Sequence, residues 1–239
     1  MSDSHTPPVD DTDDPSTQPV AQPVAHPGPQ HAPSTVARPD AADLRSVIDD
    51  LMVRFGALPD SAWEQPATEL TWTCRETVAH LFDDFGFYAM QLAGSHPPQD
   101  SYVDILDPPA WRDGGPQIVF WPDPAAGTRG IVGCLDAVGG LLVAVVATAP
   151  PERRGFHPRG VSDRTGFAAM GIVEAMAHGY DILSAHGVDY SPDDEVCRAV
   201  LARLFRTAAR SEDPWHDLLV ATGRTPETRG ERWTWDSTV

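Results

Sequence analysis

Lysine is absent from this chain. All 17 basic residues are arginine, set against 35 aspartates and glutamates, for a formal charge of −18. So few cations exclude a duplex nucleic-acid binder, which must displace counterions from phosphates. They equally disfavour docking on an anionic membrane surface. Cysteine is scarce: Cys74, Cys134 and Cys197 are far apart, odd in number and form no CxxC pair. That pattern suggests neither a disulfide framework nor a thiolate zinc site. The first residues are polar and acidic and lack the charged start and apolar run expected of a secretory signal. The longest apolar run, Leu141 to Ala147, is too short to span a bilayer. A reduced cytoplasm is the expected compartment, and the abundance of Ala, Gly, Pro and Asp reads as the bias of a GC-rich genome.

Leucine, isoleucine and aromatic residues are missing from residues 1–40, which hold nine of the 24 prolines. Such a segment buries too little surface to offset the entropy of ordering. It is expected to be a disordered tail, with His26 and His31 incidental to it. Residues 41–239 then carry the folded part, with a core over 41–190 and an extension over 191–239.

What is present is helical. Leu44, Val47, Ile48, Leu51, Met52 and Phe55 recur at spacings of three and four, an amphipathic first helix. Thr73 and Glu76 form a Thr-x-x-Glu capping box, which sets a second helix starting near residue 74. Its core face is Val78, Leu81, Phe82, Phe85, Ala89 and Leu92, and Gly94 is a stop. Residues 95–127 are rich in Pro, Gly and Asp, a crossover or lid too long for a simple connector. A third helix follows, ended by Pro150 and Pro151, with a Val-rich second half that also suits a strand. Ser162 or Asp163 caps the fourth helix, which ends at Gly187. A fifth, over residues 191–211, has acids in its first turn and Arg in its last. The fold class is all-α: a four-helix bundle with one long crossover between helices 2 and 3, plus a C-terminal helix and tail.

The fourth helix is apolar on almost every side, yet Glu174, His178 and Asp181 share a strip about 60° wide with Phe167 and Met170. A buried carboxylate and imidazole are costly unless paired, bonded or ligating a metal. Glu-x-x-x-His sets two ligand atoms one turn apart on one face. His80, off the centre of the second helix's apolar face, is the third candidate. A plain i,i+4 ion pair, with His80 on the surface, accounts for the same spacing.

Two motifs, "WTCRETVAHL" and "EAMAHGYDIL", stand in order about a hundred residues apart. Together they resemble the signatures of the DinB-like superfamily, most closely its actinobacterial mycothiol-dependent maleylpyruvate isomerase and mycothiol transferase branch. The likeness covers roughly residues 41–190, and "LLVATGR" at 218–224 is similar to the ending of many members. It implies a bundle holding a divalent metal, usually zinc, on His80, Glu174 and His178, with Asp181 one turn beyond as a group that supports a ligand or as a catalytic hydrogen-bond acceptor for substrate. Such a site keeps an open position. There the resemblance implies a mycothiol ionised by the metal as cosubstrate, attacking an electrophilic small molecule. The isomerase itself carries an α/β domain after the bundle, whereas about fifty residues follow the fourth helix here. Transfer is therefore the leading reading. Maleylpyruvate-type isomerisation and hydrolysis by metal-activated water are the alternatives.

Other side chains join the candidates. Arg153, Arg154, Arg159 and Arg164 stand in the loop before the fourth helix, suited to a carboxylate of cofactor or substrate, or to plain solvation. His157 in that loop is a candidate general acid or extra ligand, although a surface histidine is the simpler reading. Arg224 is a candidate to fold back to the metal mouth. Tyr102, Trp111, Phe120 and Trp121 are candidates for a substrate wall, and Trp215, Trp233 and Trp235 for anchoring the C-terminal tail. The expected assembly is a monomer or homodimer, with a small thiol and an electrophile as partners.

Overall fold

The computed structural model describes residues 38–68, 70–105, 108–229 and 233–239. The tail expected over residues 1–40 lies outside them except for residues 38–40. Among the described residues six α-helices follow in order: α1 (Ala41–Gly56), α2 (Cys74–Ala93), α3 (Gly127–Thr148), α4 (Arg164–Ala185), α5 (Asp194–Leu204) and α6 (Pro214–Ala221). No β-strand occurs among the described residues.

Local chemistry sets each start. Asp40 and Asp43 cap α1 reciprocally, and Thr73 and Glu76 do the same for α2. Asp163 begins α4 by accepting the Gly166 amide, and Asp193 begins α5. The Val-rich stretch is helical throughout, so its strand alternative does not hold. The fifth helix is shorter than its sequence pattern predicts and ends at Leu204. Helix α6, which periodicity did not reveal, is a short element with Pro214 at its start.

Helices α1 and α2 each pack against both α3 and α4, which sets α1 and α2 across a diagonal of the bundle. Leu44, Ile48, Leu51, Phe82, Phe85, Leu135, Leu142, Phe167 and Ile172 are fully enclosed between them. Glycines allow the close approach: a Cβ on Gly139 of α3 would lie 2.7 Å from Ile48 of α1. By length and mean hydropathy, 2.2, Pro124–Thr148 is also sufficient to cross a membrane. An apolar run broken by Gly and Asp hides this in the sequence. Here the helix packs on α1, α2 and α4.

The crossover is pinned to α2. The Asp83 carboxylate accepts the amides of Val119 and Phe120 at 2.8 and 2.7 Å. Gln91 donates to the carbonyls of Ser101 and Phe156 and accepts the Val103 amide at 2.6 Å. Arg112 makes two bonds to Glu76, at 2.7 and 2.6 Å. At the other end, the C-terminal strap lies over the loop before α4. The Ser162 hydroxyl donates to the Ser237 carbonyl, and the Ser237 hydroxyl to that of Gly160.

Candidate metal centre

His80, Asp84 and Tyr88 occupy successive turns of one stripe of α2, and Glu174, His178 and Asp181 the facing stripe of α4. Because α2 and α4 pack together, the stripes meet. The His80 and His178 rings lie edge to face, 5.3 Å between centroids, with Trp72 edge-on to His80 at 5.1 Å. Nε2 of His178 is 3.3 Å from Glu174 Oε2, and its Nδ1 is 3.2 Å from Asp181 Oδ2. Tyr88 donates its hydroxyl to Glu174 Oε1 at 3.5 Å. One ligand atom each from His80, Asp84 and His178 lies within 4.8 Å of the others.

The electrostatics suit cation binding. Burial, with His178 beside it, pushes the His80 imidazole down to about 4, although a third of the side chain faces solvent. It is therefore neutral and free to ligate at neutral pH. Burial, then Glu174 and Asp83, raise Asp84 well above the ordinary carboxylate value. Its Oδ2 is buried with no hydrogen-bond partner, 3.5 Å from His80 Nε2. An orphaned buried carboxylate oxygen is costly without a counter-charge. Burial opposes charge on Glu174 and His178 as well, but hydrogen bonds prevail: His178 lowers the Glu174 carboxyl, and Asp181, then Glu174, raise the His178 imidazole. A divalent cation would replace the proton between them. Two imidazoles with carboxylate oxygens form a donor set that suits such an ion.

Asp84 escaped the sequence reading. The i,i+4,i+8 polar stripe of His80, Asp84 and Tyr88, parallel to that of α4, is the signal that could have found it.

Behind His178 stands a second group. Arg224, just after α6, donates from Nε and Nη2 to both oxygens of Asp181, at 2.9 and 2.6 Å, and lies under the Trp233 ring. Arg224 thus folds back toward the bundle but reaches Asp181, not the ligand atoms. Asp181, fully buried, orients His178 rather than facing a substrate.

His157 is not on the surface. Trp235 stacks on its ring at 5.6 Å, Tyr88 meets it edge-on at 5.7 Å, and only 8 % remains exposed. The strap that brings Trp235 over it comes from distant sequence, which is why the loop position misled. With Asp84, Phe87, Tyr88, Tyr102 and Asp104, His157 lines a cleft of about 440 Å³, which shares Asp84 with the histidine cluster. The loop arginines are not gathered there. Arg153 bonds the carbonyls of Ala93 and Gly94 at the end of α2, Arg154 those of Pro151 and Arg153, and Arg164 that of Ala149 after α3. Arg159 supplies its amide to His157. Of the expected wall, Tyr102 lines the cleft, Phe120 packs against Gly86, and Trp111 stacks on Trp121.

Fold and site together define the class: an all-α bundle with a histidine–carboxylate cluster between two of its helices. The chain belongs to the DinB superfamily, whose family model matches residues 43–182. That span contains His80, Asp84, Glu174, His178 and Asp181, and the superfamily includes metal-dependent enzymes. No curated protein and no solved structure matches the chain.

Proposed function

We propose that the protein is a metal-dependent thiol S-transferase that uses mycothiol against an electrophilic small molecule in the cytoplasm, in secondary metabolism or detoxification. The observation that carries this reading is the convergence of His80, Asp84 and His178, with Glu174 on His178 and with Asp84 also lining a cleft. A bound divalent cation, zinc being the ion the resemblance implies, would be held by the two imidazoles with Glu174 and Asp84. It would supply a positive charge that favours the thiolate form of an incoming thiol. The chain's own residues do the rest. Arg224 and Asp181 lock the His178 tautomer and leave Nε2 facing the cluster. Tyr88 holds Glu174, and the cleft orients the electrophile.

The nucleophile comes from outside the chain. Burial raises the Cys74 thiol to about 11 and the Cys197 thiol to about 12, and raises Cys134 as well. None is a ready thiolate. Mycothiol itself is drawn from the two motifs on α2 and α4.

Protein prepared without an affinity tag and assayed for metals is expected to carry about one divalent ion per chain. Added mycothiol then raises its melting temperature only in the metal-loaded form, since a ligand of the native state stabilises by mass action. Metal with no response to mycothiol, alongside turnover of an ester or amide, identifies a hydrolase instead. Turnover of maleylpyruvate identifies an isomerase. Absence of metal from freshly purified and reconstituted protein refutes all three.

A further inference from the structure

We infer that the cleft selects an uncharged, flat, apolar substrate with a carbonyl oxygen, which His157 holds by donating from Nε2, and that it discriminates against carboxylates. This rests on the proposed reading only in treating the cleft as the substrate's seat.

The tautomer follows from geometry. Nδ1 of His157 accepts the backbone amide of Arg159 at 3.1 Å, so the single proton of the neutral ring sits on Nε2. Among the described residues no protein group pairs with that Nε2–H. The ring itself is immobilised between Trp235 and Tyr88. Burial pushes its titration down to about 4, so it stays a neutral donor rather than a general acid at neutral pH. A donor on an immobilised ring, left without a protein partner among the described residues, rewards a ligand acceptor and penalises a ligand lacking one.

The walls define the remainder of the ligand. Phe87, Tyr88 and Tyr102 offer aromatic surface, which suits a flat apolar body. Asp104, which is exposed, and Asp84 both line the cleft, and none of the described arginines does. An anion entering here meets the carboxylates of Asp84 and Asp104, and at His157 the charge of Arg159 is outweighed by that of Glu174. A neutral carbonyl compound avoids that cost. The dicarboxylate of the isomerase reaction is on this basis a poor occupant.

The test uses the full chain, with metal content measured on every sample, and two probes of one shape: cinnamamide and cinnamate. Calorimetry is expected to show the amide binding and the carboxylate at least about tenfold weaker. His157→Phe keeps the ring packing but removes the donor, and should weaken the amide roughly five- to tenfold with metal content unchanged. Asp104→Asn should narrow the gap between the probes. Should His157→Phe misfold, nitrogen NMR of the wild-type imidazoles reads the same contact: the Nε2–H of His157 is expected to shift on adding cinnamamide. Equal or tighter binding of cinnamate, an unperturbed His157, or binding of neither probe overturns the inference. Selective amide binding by protein that holds no metal would instead refute the proposed function and leave this inference standing.

Discussion

His178 is the residue through which most of the site's forces run. It bridges Glu174 and Asp181, and Asp181 is in turn held by both nitrogens of the Arg224 fork. His178→Ala removes one ligand while leaving Asp181 paired with Arg224. Metal content should therefore fall close to zero with helical circular dichroism retained. Asp181→Asn is expected to act more broadly. It leaves the buried Arg224 charge uncompensated, at about 3–5 kcal/mol of stability by denaturant unfolding. Freeing the His178 ring should also weaken metal affinity about 10–100-fold in a chelator competition. If the Asn variant binds metal as tightly as the parent, Asp181 is only a structural partner of Arg224.

At the scale of the element, the start of α2 serves two purposes. Glu76 accepts the Thr73 amide at 2.8 Å as half of the capping box, and it also receives Arg112 from the crossover. Burial disfavours its charge, but these bonds outweigh burial and hold its carboxyl below the ordinary value of 4.5. The stability that follows is present above that value and is lost as pH falls through the depressed folded one. The melting temperature should thus drop on the acid side of 4.5, and Glu76→Gln should flatten that drop while costing about 1–2 kcal/mol near neutrality. At the entry to α3, Gly127 has φ of +55°, and a Cβ there would lie 2.5 Å from the Asp60 carboxylate that caps Thr128. Gly127→Ala should cost about 1–3 kcal/mol from backbone strain alone, read by chemical denaturation.

For the whole molecule, the extension beyond α4 completes the centre rather than decorating it. Arg224 reaches Asp181, Trp233 covers Arg224, and Trp235 covers His157. Deleting residues 233–239 should lower the melting temperature and expose His157, whose imidazole then titrates closer to its ordinary 6.5. Proton NMR of that ring checks the outcome. An unchanged titration would mean that loop and bundle alone bury it.

Much of this was legible in the residues. The capping box at Thr73 and Glu76, the apolar face of α1, and the stripe of Glu174, His178 and Asp181 depend on neighbours three and four positions apart, and helical geometry alone relates them. Periodicity could not show that His80 and Asp84 turn toward α4, since a helix with polar groups off its core face can direct them either to solvent or to a partner. Nor could it reveal the contacts of Arg224 and Trp235, separated from Asp181 and His157 by 43 and 78 positions of chain. Local spacing determined the helices and one half of the site. The packing of distant segments decided which side chains converge, because burial and electrostatic pairing depend on distance in space and not on distance along the chain.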